Sequence, residues 1–153
     1  ALHPDDPPLP KLGEVSRIMV TTGQIRHAVR DIVDSPALGI TMCQATFSLM
    51  GGDIYETISA FRDKIFFVHF RNVVGNKENF HETFHDNGTL DMARLIRHYH
   101  NLGLKVPVRV DHVPTLVGED TVHAGYDALG RLYAIGYLKG LLQMAESYQD
   151  TEE

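Results

Sequence analysis

The sequence predicts an α/β chain in which short strands alternate with helices and run parallel, as in a barrel of βα units. Three observations lead there. The run Ile65-Phe-Phe-Val-His-Phe-Arg-Asn72 is apolar, aromatic and β-branched over most of its length, the pattern of a strand buried on both faces in a parallel sheet. Two more short apolar runs, Leu38–Cys43 and Val106–Asp111, and a stub at Ala1–Leu2 are separated by stretches long enough for right-handed parallel crossovers. Each of the four ends on a residue type that binds metal: His3, Cys43, His69 and Asp111.

Taken in order, the stub passes through His3 into a proline-rich loop that reaches Pro10, where regular structure is excluded. Val15–Val20 reads as a strand-like loop segment. Thr21 or Thr22 caps a helix whose apolar face is Ile25, Ala28, Val29, Ile32 and Val33. It ends near Ser35-Pro36, because the residue before proline avoids the helical region. After the strand Leu38–Cys43, Asp53 opens a helix with Ile54, Ile58 and Phe61 at helical spacing. The strand Ile65–Asn72 is followed by an excursion from Val73 to Leu90, rich in Asn, Gly, His and Asp and of a length that is usually functional or disordered. Asp91–Leu102 is a helix with Met92, Leu95, Ile96 and Tyr99 inward, stopped by Gly103. A loop containing Pro114 and Gly118 then leads from the last strand to a long helix over residues 122–148, opened by Gly125-Tyr126 facing the rim. Gly130, Gly136 and Gly140 imply close packing of that helix, since each costs about 1 kcal/mol relative to Ala. Residues 149–153 form an acidic tail expected to fray.

Composition narrows the classes. An apolar fraction of 43% and a charged fraction of 22% over 153 residues describe an ordinary soluble domain with a sizeable core. A net charge of −6 speaks against nucleic acid as a partner, which asks for a basic stripe. No apolar run approaches the roughly 20 residues of a membrane span. One cysteine rules out an internal disulfide and fits a reducing compartment, most simply the cytoplasm.

In a parallel barrel the strand ends surround one rim, so four ligand types on successive strands can converge on a single ion. Their spacings, about 26 to 42 residues, match one βα unit each rather than a local zinc-finger loop. Two imidazoles, a thiolate and a carboxylate suit zinc, iron(II) or manganese(II) and disfavour copper(I). Singly, each has a plainer reading: a lone buried cysteine is more often a small core hydrophobe. Joint placement is what points to metal. Arg71 shares a strand face with His69 and offers a planar fork for a substrate carboxylate, or else a salt bridge at the rim. His112 follows Asp111 and is placed as a general acid or base, or as a hydrogen-bonding neighbour of the ligands. His85 in the excursion either approaches the substrate or is simply solvated, the second reading slightly favoured, and Tyr126 near the last helix completes the candidates. His27, His98 and His100 sit on helices far from the strand ends and read as surface residues.

The segments His3-Pro-Asp-Asp-Pro-Pro8, Gly39-Ile-Thr-Met-Cys43, Val68-His-Phe-Arg-Asn72, Glu82-Thr-Phe-His-Asp86, Asp111-His-Val-Pro114, Gly125-Tyr126 and Gly130-Arg-Leu132 together resemble mannonate dehydratase, in order and through nearly the whole chain. The resemblance implies a xylose-isomerase-like (β/α)8 TIM barrel that removes water from D-mannonate to give 2-keto-3-deoxy-D-gluconate in hexuronate breakdown, with manganese or iron(II). It implies His3, Cys43, His69 and Asp111 as metal ligands, His112 and Tyr126 as proton-transfer residues, and Arg71 and His85 as substrate contacts. It also implies a homo-oligomer for the full-length enzyme.

A (β/α)8 barrel needs about 250 residues. The expectation is therefore the C-terminal half of a barrel over 1–148, from the end of strand 5 through helix 8. Such a half has two unpaired edges and is expected to be inactive or poorly soluble until another chain closes it. Two other readings stand beside the dehydratase: a sugar isomerase or epimerase of the same barrel type, and a metal-binding half-barrel without turnover.

Overall fold

The computed structural model describes residues 1–120 and 123–147. In chain order its strands are β1 (Lys11–Leu12), β2 (Val15–Ser16), β3 (Ile40–Cys43), β4 (Ile65–His69), β5 (Val73–Asn76), β6 (Asn79–Glu82) and β7 (Val108–Arg109). The helices are α1 (Thr22–Arg26), α2 (Gln44–Leu49), α3 (Ile54–Ala60), α4 (Met92–Asn101) and α5 (Ala128–Ser147).

β3, β4 and β7 form one parallel sheet in that order, and Leu2 adds a parallel bridge to Ile40 on the outer side of β3. Alternation along each strand divides the side chains. Ile40 and Met42, Val68 and Phe70, and Val110 enter the core with Ile25 and Val29 of the first helix, Ile58 of α3, Leu95 and Ile96 of α4 and Ala134 and Leu138 of α5. Each fully buried Ile, Leu or Phe adds about 1.5–3 kcal/mol. The alternate positions, Cys43, His69 and Arg109, pair across the sheet: Cys43 with His69, and His69 with Arg109. The register therefore sets the chemistry-bearing residues of three strands in one row.

Several elements depart from the sequence expectation for identifiable reasons. The first helix changes to a π-helical turn over His27–Ile32, which adds a residue per turn and carries Ile32 and Val33 off the apolar stripe into solvent (66% and 50% exposed). β4 is buried on the helix side only, since Phe66, Phe67 and His69 are half-buried. The short helix α2 has no amphipathic signal because Gln44, Ala45, Thr46 and Phe47 are all buried. The excursion after β4 contains the antiparallel hairpin β5–β6. The last helix begins at Ala128, so Tyr126 lies in the turn before it, its N–H donating to the His123 carbonyl at 2.9 Å. Gly130 is closely packed, because a Cβ there would lie 2.6 Å from the Pro114 carbonyl oxygen, whereas Gly136 and Gly140 face open space. The expected helix bounds at 122 and 148 and the frayed tail over 149–153 lie outside the described residues.

Thr21 and Asp91 cap their helices, the Thr21 hydroxyl accepting from Gln24 N–H at 3.2 Å and the Asp91 carboxylate from Arg94 N–H at 2.9 Å. Among the described residues, no helix is long and apolar enough to cross a membrane.

Candidate active site

The site has two parts, and parallel register builds the first. Cys43 ends β3 directly beside His69 at the end of β4, and His3 follows the Leu2 bridge. Ligand atoms of His3, Cys43 and His69 lie within 4.8 Å of one another. His3 Nδ1 is 2.7 Å from the Pro4 carbonyl, which can only accept, so Nδ1 carries hydrogen and, in a neutral ring, Nε2 is the lone pair. That Nε2 is 3.1 Å from Nδ1 of His69, which is also 3.4 Å from Asp111 Oδ2. Asp111 adjoins the cluster through His69 and reaches it with φ +50, a left-handed conformation uncommon for a residue with a Cβ.

These residues fit a divalent ion. Metal bonds of about 2.0–2.3 Å keep donors within about 4.5 Å of each other, close to the spacing found. The His3 lone pair and the Asp111 carboxylate share the single hydrogen that His69 Nδ1 can offer, an acceptor-rich arrangement that suits a cation. Metal-binding histidines also commonly give their other N–H to a backbone carbonyl, as His3 does. Cys43 Sγ, fully buried, accepts from the Thr46 hydroxyl at 3.1 Å and has Arg71 Nη1 at 3.7 Å.

Arg71 opens the second part. It is 1% exposed, and its fork is fully engaged. Nε lies 3.1 and 3.0 Å from the two Glu82 oxygens, Nη2 also donates to Glu82, and Nη1 donates to Asp6 Oδ2. Burial opposes the Arg71 charge, but Glu82, with Cys43 and Asp6, more than offsets it and holds the proton more tightly than usual. Burial likewise works against the Glu82 carboxylate, and its hydrogen bonds with His112 and Arg71 outweigh that and lower its pKa. His112 Nδ1 is 3.1 Å from Glu82 Oε1, and Nε2 is 2.6 Å from the Tyr126 hydroxyl. The Arg109 and Arg131 guanidinium groups each lie over the Tyr126 ring, at 5.4 and 5.1 Å from its centroid.

Seven of the eight sequence candidates thus gather at the strand ends. The eighth, His85, does not reach the open rim. It is fully buried beneath it, stacked on Phe70, with Nε2 at 2.5 and 2.8 Å from the Phe70 and Val110 carbonyl oxygens. There it ties Phe70, just after β4, to Val110, just after β7. The Arg71 fork serves Asp6 and Glu82, the ion-pair alternative that the sequence also left open. Glu82, Thr46, Asp6 and Arg109 were not singled out from the sequence. Alternation on β7 places Arg109 on the same face as Asp111, a signal the sequence does contain.

The family model for D-mannonate dehydratase (UxuA) matches residues 1–152. The chain belongs to the D-mannonate dehydratase family. Mannonate dehydratase 1 of Bacillus licheniformis is 37% identical over 145 residues, 92% of this chain and 39% of its own length. Mannonate dehydratase 1 of Halalkalibacterium halodurans is 33% identical over 156 residues, 97% of this chain and 42% of its own length. The crystal structure of mannonate dehydratase from Streptococcus suis serotype 2 matches with a TM-score of 0.89 at 27% identity, covering 98% of this chain and 44% of that one. The chain spans about two fifths of the length of the curated relatives it matches.

Proposed function

We propose that this chain supplies the metal-binding and proton-transfer part of a mannonate dehydratase, a hydro-lyase that converts D-mannonate to 2-keto-3-deoxy-D-gluconate in the cytoplasm. The observation that carries the reading is one juxtaposition: His3, Cys43 and His69 clustered within 4.8 Å, next to a His112–Tyr126 pair in 2.6 Å contact. In this reading His3, Cys43, His69 and Asp111 hold manganese or iron(II). Residues 1–148 form the C-terminal half of a xylose-isomerase-like (β/α)8 barrel. Support for the half-barrel comes from its open edges at Leu2 and β7 and from a 360 Å³ apolar cleft beside β7, lined by Val68, Tyr99, Val108 and Leu138 among others. Homo-oligomerisation of the full-length enzyme belongs to the same reading.

Dehydration removes the proton on carbon 2, beside the carboxylate, and expels the carbon 3 hydroxyl; the resulting enol becomes the 2-keto acid. A bound divalent ion supplies positive charge to the substrate oxygens where negative charge builds as the C–H bond breaks. On substrate binding the Tyr126 hydrogen turns from His112 Nε2 to the leaving oxygen, which departs as water, and the freed Nε2 lone pair accepts the carbon 2 proton. The pair is then imidazolium and phenolate, and one proton crossing their 2.6 Å contact restores both.

The test is manganese-loaded protein offered D-mannonate, with the 2-keto acid followed by NMR. It is run on the chain alone and on the chain co-expressed with the remainder of the Bacillus licheniformis relative. Product in either arm supports the proposal. Metal binding without product in both would leave only a metal-binding half-barrel.

A further inference from the structure

Glu82 enters the site from the excursion between β4 and α4, at the end of β6, where it pairs with Val73. Three features place it firmly. The hairpin turn closes on Asn76, whose side-chain oxygen accepts from the N–H groups of Glu78 and Asn79 at 3.1 and 3.0 Å. The returning chain is tied down by Asn72, which donates to the His85 and Leu90 carbonyls at 3.0 Å each and accepts from Leu90 N–H at 3.0 Å. Arg71 grips both carboxylate oxygens.

An ionised carboxylate only accepts hydrogen bonds, and the Arg71 guanidinium on both Glu82 oxygens favours that form, in line with its lowered pKa. The His112 nitrogen facing it at 3.1 Å must therefore be the one that carries hydrogen. In a neutral ring the other nitrogen is then bare, and the 2.6 Å contact with Tyr126 must run from the phenol to Nε2. The neighbouring carboxylate does not compete: Asp111 Oδ1 is 3.9 Å from Nε2, beyond hydrogen-bond reach. In serine hydrolases a buried carboxylate fixes a catalytic imidazole's tautomer in the same way.

We propose that Glu82 is a positioning residue that holds His112 with its proton on Nδ1 and its Nε2 lone pair on the Tyr126 hydroxyl. This rests on the proton-transfer roles proposed above for His112 and Tyr126. It gives the hairpin β5–β6 a task, the delivery of one carboxylate to the back of the imidazole.

The test reads the ring nitrogens directly, by 15N NMR of histidine-labelled full chain at about pH 8.5, above the ordinary histidine range. The unsubstituted protein is expected to show His112 as the Nδ1–H tautomer. Glu82→Ala moves it towards Nε2–H, and Glu82→Asp restores Nδ1–H at least in part. Asp6→Asn, which weakens Arg71's other ion pair without touching His112, leaves the tautomer unchanged and so separates positioning from a general loss of fold. In the assembly that turns over D-mannonate, Glu82→Ala lowers kcat about 100-fold or more with KM little changed. The proposal is overturned if His112 is already Nε2–H in the unsubstituted protein, or if Asp6→Asn shifts the tautomer as Glu82→Ala does. Absence of turnover in the unsubstituted protein would instead remove the dehydratase reading, and the NMR result would still decide the role of Glu82.

Discussion

The two parts of the site are built on opposite principles. Around Asp6, Arg71, Glu82, His112 and Tyr126, donors meet acceptors, and Arg71 gives its fork to two carboxylates of the same chain. Around His3, Cys43, His69 and Asp111, acceptors outnumber donors: the one hydrogen that His69 Nδ1 can offer is shared between His3 Nε2 at 3.1 Å and Asp111 Oδ2 at 3.4 Å. The first part is largely satisfied within the protein, although Asp6 Oδ1 is buried without a hydrogen-bond partner. The second is rich in acceptors, which suits a cation. An imidazole that must present one lone pair in a fixed direction benefits from the first arrangement, and an ion from the second.

If that contrast holds, the largest stability loss comes from the satisfied part. Arg71→Met leaves the Glu82 and Asp6 carboxylates, 26% and 19% exposed, without their common cation. Removing one partner of a buried pair typically costs 3–5 kcal/mol. Partial solvent access puts the expected loss near the lower end, about 3 kcal/mol, measurable by denaturant unfolding. A loss below about 1 kcal/mol would mean that the network is not a stabilising unit.

Cys43→Ser probes the other part, where the expected effect falls on the ion and not on the fold. Manganese affinity by calorimetry should weaken about tenfold or more, at least about 1.4 kcal/mol, while the unfolding midpoint without metal stays nearly constant. Unchanged affinity would remove Cys43 from the ligand set.

Gly88→Ala tests what holds the excursion over the site. A Cβ at Gly88 would lie 2.2 Å from Asn72 Cγ, so Asn72 must move and its ties to His85 and Leu90 must loosen. Overpacking of this kind costs about 1–3 kcal/mol. Amide exchange at Leu90 should speed up more than at Met42 in β3, and equal changes at both would make the effect global.

The two parts also differ in how far they can be read without a structure. His3, Cys43, His69 and Asp111 are visible because a strand's end is where its apolar run stops, and a ligand type standing there four times is a pattern along the chain. Parallel register then converts sequence position into proximity. Glu82 has no such signature. Its hairpin turns on the Asn76 side chain with Lys77-Glu78 at the tip, where no Asn-Gly or Asp-Gly pair marks a reversal. Burial at α2 erased periodicity in the same way, since a helix covered on all sides shows no polar face. The partners of Arg71, Asp6 and Glu82, lie 65 and 11 residues from it in the chain, and nothing in either segment announces the contact.

His85 sits beneath both parts and gives the smallest of these effects, one of pH. Burial lowers its pKa from the ordinary 6.5, against the opposing pull of the Val110 and Phe70 carbonyls. As pH falls through 6.5 the unfolded chain takes up a proton that the folded chain refuses, so the unfolded state binds more protons and stability falls with pH. The contribution is complete above 6.5 and is lost as pH drops towards the lower folded value, by at most about 1.4 kcal/mol per pH unit. Glu82, also lowered, adds its own loss only below its ordinary 4.5, so the two windows are distinct. His85→Gln should be less stable at neutral pH, because the Phe70 and Val110 carbonyls lose a well-aligned donor. Its stability curve should nevertheless be flatter than that of the unsubstituted protein just below pH 6.5. Parallel curves there would show that His85 charges freely in the folded state, and the structural role assigned to it between β4 and β7 would have to be given up.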